Sequence, residues 1–349
     1  MKSHFLKLLT FISLLAPSFA HEGPSTASRP DGHAPISVMG DHMHAMGEWM
    51  VSYRYMTMGM ENLLKGSASV TQDSQLGTTS VGDFEMVPTK MKMDMHMFGV
   101  MHAISDKWTI MGMINYLDNE MDMMMHFMEM GGMTMRHDHE MAAESSGLGD
   151  LKLVGLYDLA KWDEGRRIHL NVGLSIPTGS IDEKSGTNTL GYGMQLGSGT
   201  WDFHPAITYL GQTESYSYGA QLGGILRIGE NDQDYTLGNK FCASLWGARI
   251  ITDSLSASAK LDYSSQDEVD GSDSRLDARN MMMPSPGFNP TFQGRDLSTF
   301  AFGLNYYFQE GGLSGHRLAA EWQTPIDQKV NGVQLELDSV WTLGWQYAW

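Results

Sequence analysis

Apolar and polar residues alternate with a period of two through most of this chain, and this pattern constrains the fold more than any other feature. The alternation is clearest where Ile168, Leu170, Val172, Leu174 and Ile176 interleave with Arg167, His169, Asn171 and Ser175. Such a pattern gives a strand one apolar and one polar face. Many of these segments run about ten residues, as a membrane-crossing strand needs, whereas soluble strands average about five or six. We therefore expect transmembrane strands rather than a soluble β-sandwich.

The connections between the predicted strands fall into two classes. Short turns occur near residues 105, 163, 212, 252 and 311. The longest links are residues 61–89, 118–146, 177–192 and 266–296. An even number of strands with short turns on one side and long loops on the other is typical of outer-membrane barrels. The sequence predicts an all-β fold, a transmembrane antiparallel up-and-down β-barrel of about 12 strands over residues 47–349, with short periplasmic turns and long outer loops.

Both ends of the chain favour export to a Gram-negative type of outer membrane. The start combines a basic beginning, a short apolar run and a small-residue ending, which predicts a signal peptide over residues 1–20. The last predicted strand carries Trp341, Leu343, Trp345, Tyr347 and Trp349 on one face. Its aromatic ending resembles the terminal signal of outer-membrane barrels, and aromatic residues suit membrane interfaces. We expect outer-membrane lipid as a partner.

Residues 21–46 are polar and show no periodicity, so we expect a flexible periplasmic arm. The net charge of −18 argues against nucleic acid as a partner, because that would need a basic face, and it allows cationic partners. The single cysteine, Cys242, cannot form an intramolecular disulfide. No GxSxG turn, HExxH helix or phosphate-cradling loop occurs, so we do not expect an enzyme.

Three short segments carry a family resemblance. They are SGLGDLKL at residues 146–153, LSIPTGS at 174–180 and LGSGTWDF at 196–203. With these segments the chain resembles the outer-membrane family linked to the MetA pathway of phenol degradation, which is related to transporters of fatty acids and aromatic hydrocarbons. The resemblance implies a barrel that passes small, often hydrophobic solutes, and it supplies no catalytic residue.

The segment from Met121 to Met141 is unusual in its density of methionine and histidine. It contains nine of the 29 methionines and three histidines, and the chain pattern places it in the second outer loop. Thioethers suit Cu(I) and imidazole suits copper in either oxidation state, whereas zinc prefers thiolates and imidazoles in fixed geometry. We expect copper ligands in this loop and in the arm, with no cofactor required. The candidates are Met121, Met123, Met124, Met125, His126, Met128, Met130, Met133, Met135, His137, His139, His42, Met43, His44 and Met46.

Strand parity extends this candidate site into the barrel. Charged residues should face the lumen rather than lipid, so Lys92 and Asp94 predict that Met91, Met93, Met95 and Met97 face lipid. The same reasoning predicts a lumen lining of Met50, Arg54, Met56, Met58, Asp94, His96, Met111 and Met113. We expect this patch to continue the loop's copper ligands inward, and Met281–Met283 in another outer loop to join it or simply to pack beside their prolines.

Three functions remain open from the sequence. The first is a channel or transporter for small solutes whose methionines and histidines bind copper. The second is an uptake channel for hydrophobic or aromatic compounds whose methionines only line the route, since methionine fills irregular apolar space. The third is a non-conducting envelope protein that sequesters metal. Oxidant scavenging by the methionines is a further alternative. The sequence leaves the oligomeric state open.

Overall fold

The computed structural model describes residues 28–76, 84–128, 136–162 and 165–349, without the side chains of residues 126–128 and 136–138. The predicted signal peptide and residues 21–27 lie outside the described part. The described strands are β1 (Trp49–Lys65), β2 (Ala68–Val70), β3 (Met86–Ser105), β4 (Trp108–Met128), β5 (Arg136–Leu148), β6 (Leu151–Trp162), β7 (Arg166–Ile176), β8 (Lys184–Ser185), β9 (Asn188–Thr189), β10 (Trp201–Gln212), β11 (Tyr216–Ile228), β12 (Tyr235–Thr236), β13 (Lys240–Ile250), β14 (Leu255–Gln266), β15 (Asp270–Gly271), β16 (Arg295–Tyr307), β17 (His316–Val330) and β18 (Val333–Ala348). The described α-helices are α1 (Gln72–Gln75) and α2 (Ser274–Met282).

The long strands form one closed antiparallel barrel. Each pairs with the next long strand along the chain, and the last strand, β18, pairs with β1 from Met50↔Ala348 to Lys65↔Val333. Twelve strands form the wall, because β5 and β6 act as one interrupted strand beside β4. This confirms the predicted up-and-down barrel of about 12 strands.

The two ends of the barrel differ in their connections. At the end that we call the turn end, short connections such as residues 106–107 and 213–215 join the strands. The backbones of Trp49 and Trp349 also pair there through two 2.9 Å hydrogen bonds. At the opposite end, the loop end, longer segments such as residues 177–200 and 267–294 connect the strands. The predicted separation of short turns from long loops is therefore present, except that residues 331–332 join β17 and β18 by a short turn at the loop end.

Apolar side chains cover the outside of the wall. On β7, Val172 and Leu174 are exposed while His169, Asn171 and Ser175 are buried towards the lumen. The same outward exposure recurs around the barrel at Phe98, Leu222, Phe302 and Trp341. An apolar outer face with a polar interior is what a bilayer requires of a barrel. Within the described ranges, no α-helix has the length and apolar character that crossing a membrane would take.

The lumen at the turn end is filled by residues 28–46, which we call the plug. Most of the plug is buried, and the wall holds its backbone at several points. Arg317 Nη1 donates to Pro30 O at 2.8 Å, Arg54 Nε donates to Ile36 O at 3.0 Å, and Gln221 Nε2 donates to Met39 O at 3.0 Å. The structure thereby corrects the prediction of a flexible arm for these residues, because the barrel supplies hydrogen-bond partners that a lone polar segment lacks.

At the loop end, the connecting segments fold inward over the barrel. Tyr192, Met194, Leu276 and Phe288 join one buried apolar cluster with wall residues, which we call the outer cluster. The wall side of the cluster includes Met60, Met86, Met91, Met123 and Met125. The lumen is therefore occupied at both ends, by the plug below and by the outer cluster above.

Candidate functional site: methionines and histidines in the barrel lumen

Three neighbouring strands present methionines to the lumen in register. Met50 pairs with Met101, which pairs with Met111, and the exposed fractions of these side chains are 2%, 3% and 5%. Directly paired residues project from the same face of a sheet. The same face of β1, β3 and β4 therefore carries what we call the methionine wall: Met50, Met56, Met58, Met60, Met91, Met93, Met95, Met97, Met101, Met111, Met113, Met121, Met123 and Met125.

The structure corrects the predicted parity of β3. Phe98 is 54% exposed, and its pairing with Tyr53 places it on the outer face together with Asp94 and His96. His96 Nδ1 is hydrogen bonded to the Tyr53 hydroxyl at 2.8 Å. Met91, Met93, Met95 and Met97 consequently face the lumen rather than lipid, and Asp94 and His96 do not line it.

The length of β3 explains why the charges of Lys92 and Asp94 do not mark its lumen face. β3 contains 20 residues, whereas about 9 to 11 cross a bilayer. Lys92 and Asp94 lie more than ten residues from the end of β3 at Ser105, beyond the apolar band, and form a 2.8 Å ion pair with each other. A charged pair at that height does not meet hydrocarbon, so its direction does not identify the lumen.

The segment from Met121 to Met141 is largely a β-hairpin rather than a loop. β4 continues to Met128 and β5 begins at Arg136. Met121, Met123 and Met125 lie on the lumen face, paired with Met91, Pro88 and Met86 of β3. Met124 has the opposite parity, and His139 is exposed opposite Met125. Met130, Met133 and Met135 lie outside the described residues, and so do the side chains of His126, Met128 and His137.

The plug contacts the lower part of the methionine wall. Met43 is buried among Met50, Met101, Met111 and Met113, with Met39 and Met97 packed against them, and we call this group the inner cluster. Met46 is exposed and lies outside the inner cluster. The structure thus brings together one predicted arm methionine and the predicted lumenal patch, and it separates Met46 from both.

A sharp turn at Gly40 brings the following residues of the plug against the barrel wall. Gly40 has φ +60°, and a Cβ there would lie 2.7 Å from Asn171 Nδ2, so glycine fits both the backbone conformation and the close approach. Gly40 O accepts from Asn171 Nδ2 at 3.0 Å and from His169 Nε2 at 2.9 Å. The residues that follow the turn, from Asp41 to His44, are all buried.

Three histidines of the plug form a stacked group beside the inner cluster. The rings of His33 and His42 stack with centroids 3.8 Å apart, and those of His42 and His44 meet edge to face at 4.9 Å. His33 Nδ1 donates to Gln346 Oε1 at 2.9 Å. Burial lowers the pKa of His44 to about 3 and lowers that of His33 well below its ordinary value, so both rings are neutral at physiological pH.

The opposite side of the lumen is polar and was not identified from the sequence. Lys260 Nζ lies 2.7 Å from Asp262 Oδ2 and 3.0 Å from Glu321 Oε1, and Ser37 Oγ of the plug donates to Glu321 Oε1 at 2.7 Å. The signal that could have revealed this group is the parity of Lys260 and Asp262, which share one face of β14 with small serines.

The donors on the methionine side of the lumen are of the soft type. Among the described residues, no three His, Cys, Asp or Glu side chains come together in a group that could hold a metal ion. Hard divalent cations and zinc depend on such groups. Thioethers and imidazoles are the donors that meet where the plug contacts the methionine wall, and donors of this type suit Cu(I).

A cavity of about 700 Å³ gives access to the plug from the turn end. Its lining includes His33, Met43, His44 and Met50 together with the basic residues Arg166 and Arg167. Small solutes or ions at the turn end can therefore reach the border between the plug and the methionine wall.

Fold and site together define a closed barrel of the outer-membrane type, with an occupied lumen and a methionine-lined wall. The chain belongs to the family described as putative MetA-pathway of phenol degradation, whose model matches residues 77–324. The structure is similar to an outer membrane channel from Pseudomonas putida F1, with a TM-score of 0.59 and 14% identity over 90% of this chain and 99% of that one. A FadL homologue from Pseudomonas aeruginosa matches with a TM-score of 0.44 and 8% identity, covering 95% of this chain and 99% of that chain. The comparison with curated proteins found no match.

Proposed function

We propose that this protein is an outer-membrane channel for small solutes whose lumenal methionines and methionine- and histidine-rich hairpin bind copper and carry it inward. The observation that supports the proposal is the continuity of the methionine wall, which runs from Met125 at the loop end to the inner cluster around Met43. In this proposal the turn end faces the periplasm and the hairpin faces the surroundings of the cell.

The chemistry of the wall suits transfer between sites rather than tight capture. Conduction needs several sites that each bind an ion weakly enough to release it. A thioether is a neutral donor, so successive methionines offer similar binding steps without a deep electrostatic trap. The net charge of −18 raises the local concentration of cations around the protein.

A second function is favoured by the outer cluster. Tyr192, Leu276 and Phe288 give the loop end an apolar lining, to which the adaptable methionine side chains contribute. A family described by phenol degradation fits the uptake of hydrophobic or aromatic compounds through such a lining. In this alternative the methionines line the route and bind no metal.

Flux into liposomes distinguishes the two functions. The refolded protein would be compared with a triple variant, M121L/M123L/M125L, because leucine keeps the apolar volume and removes the sulfur. The matched control is M281L/M282L, which changes two exposed methionines of α2. We expect the triple variant to lose most Cu(I) flux and to keep its flux of phenol, with no change in the control.

Three other results would count against copper transport. Equal Cu(I) flux in the triple variant and the parent would remove the methionine wall from the route. Phenol flux without Cu(I) flux in the parent would favour the apolar channel. Cu(I) binding without flux of either solute would favour a barrel that sequesters metal.

A further inference from the structure

One ring nitrogen of His42 is buried without a hydrogen-bond partner in the protein. Its side chain is 1% exposed, and Nδ1 donates to Asp41 Oδ1 at 2.9 Å. With Nδ1 protonated, Nε2 presents its lone pair, yet Nε2 is buried and has no hydrogen-bond partner within the protein. A buried polar atom without a hydrogen-bond partner is unfavourable, because it has lost its contact with water. A carboxylate that orients one ring nitrogen and leaves the other free is the usual support of a metal-binding histidine.

His44 repeats this arrangement two residues further on. Its side chain is also 1% exposed, and Nδ1 lies 3.4 Å from Glu48 Oε2. Nε2 of His44 is buried and has no partner within the protein. The plug thus holds two orphaned imidazole nitrogens on adjacent rings, and a carboxylate lies beside Nδ1 of each ring.

Thioethers complete the set of donors. Met43 lies between the two histidines in sequence and packs in the inner cluster. The backbone N of His44 donates to Thr109 Oγ1 at 3.3 Å, and Thr109 shares its lumen face with Met111. The Met111 methyl group would lie 3.7 Å from a Cβ at Gly40, so the turn of the plug also touches this methionine. Neutral nitrogen and sulfur donors without a coordinating carboxylate favour a monovalent soft ion.

We propose that His42 and His44, with Met43 and the facing Met111, bind one Cu(I) ion that fastens the plug to the methionine wall. The inference rests on the proposed function in one respect, the entry of copper into the lumen. The site differs from the hairpin because it joins two parts of the barrel, and bound metal therefore stabilises the plugged arrangement by mass action. Asp41 acts as a positioning residue through His42.

The first experiment measures Cu(I) affinity by competition with a chromophoric chelator under reducing conditions. All proteins would be full-length, free of histidine tags and carry C242A, so that the free thiol cannot bind the ion. We expect H42Q/H44Q to bind the ion at least tenfold more weakly than the parent. D41N should weaken binding by about 10- to 100-fold, because it removes the charge that orients His42. The matched control, H96Q on the outer face, should bind as the parent does.

Folding is checked separately, since H42Q/H44Q alters buried residues. M43L/M111L keeps apolar volume and removes two sulfurs, so it should fold and still bind more weakly. Copper K-edge absorption should show mixed nitrogen and sulfur neighbours in the parent and fewer sulfur neighbours in M43L/M111L. Limited proteolysis should cut the plug more slowly in the parent with Cu(I) than without it.

The outcomes separate this proposal from the proposed function. If M121L/M123L/M125L loses flux and still binds the inner ion, the inner site stands whatever the route. If the parent conducts no copper but binds one ion lost in H42Q/H44Q, the channel proposal fails and the site remains. Unchanged affinity in both H42Q/H44Q and M43L/M111L would overturn the site.

Discussion

The two sides of the lumen hold the plug by different means. Residues 201–266 and 295–349 contain no methionine, and at the turn end they face the plug with serine, glutamine and charged side chains, together with an apolar patch at Leu210 and Trp246. We call this side the polar wall, and it holds the plug by directional hydrogen bonds, one of which comes from Ser37 to a glutamate that is itself ion-paired within the wall. The methionine wall contacts the plug largely through apolar packing and polarisable sulfur, which tolerates small displacements, and Arg54 and Thr109 add one hydrogen bond each. The polar wall therefore sets the position of the plug, while the methionine wall lets its neighbours shift by small amounts.

The largest effect is expected on the polar wall at Glu321. In E321A, Lys260 keeps only Asp262 as a carboxylate partner, and Ser37 of the plug loses its acceptor. Removing one partner of a buried ion pair costs about 3 to 5 kcal/mol. Urea unfolding followed by tryptophan fluorescence would measure this loss, and single-channel recording should show higher conductance. A variant as stable and as closed as the parent would mean that the ion pair does not fix the plug.

The methionine wall should respond strongly to lost volume and weakly to lost sulfur. We expect M111A to reduce the free energy of unfolding by about 2 to 5 kcal/mol, because it opens a cavity in the inner cluster. M111L should cost less than about 1.5 kcal/mol. Equal losses in M111A and M111L would show that the sulfur itself, rather than packing, stabilises this wall.

The outward direction of Phe98 on β3 can be tested by placing a charge at this position. Phe98 faces outward, so F98K places a charge in the apolar band and should cost about 2 kcal/mol in lipid vesicles. The matched control is F98L, which should fold as the parent does. A stable F98K together with an unstable M97K would restore the opposite parity.

The smallest effect is expected for one hydrogen bond of the polar wall. Ser256 Oγ donates to Pro30 O at 2.9 Å, and S256A removes this contact while adding no bulk. The expected loss is about 1 kcal/mol, and proteolysis of the plug should accelerate only slightly. A loss as large as that of E321A would mean that hydrogen bonds to the plug backbone, and not the ion pair, dominate its retention.

The sequence predicted the barrel well because a period of two is a local property of each strand. The alternation of Ile168 with His169 appears unchanged in β7, where His169 is buried and Val172 is exposed. The hairpin was harder to recognise, since Met123, Met124 and Met125 follow one another and hide the period. A strand with methionine on both faces shows no alternation of apolar and polar residues, so its sequence looks like that of a loop.

The candidate site was predictable only in part. The pattern identified His42, Met43 and His44 as donors, yet it did not place them inside the barrel, because burial of the plug depends on partners from distant strands such as Arg317 and Gln221. Similarly, Asp94 can face outward because β3 extends beyond the apolar band of the membrane. Neither property is contained in the local sequence.

The length of β4 has a consequence for the loop end of the barrel. Its 21 residues exceed by about ten the number that a bilayer requires. At about 3.3 Å per residue, the surplus extends the strand by roughly 30 Å past the hydrocarbon. Because β3 pairs with β4 as far as Met86↔Met125, this extension is a hydrogen-bonded ribbon rather than an unpaired strand. A solute or ion that approaches the loop end therefore meets methionine before it meets lipid.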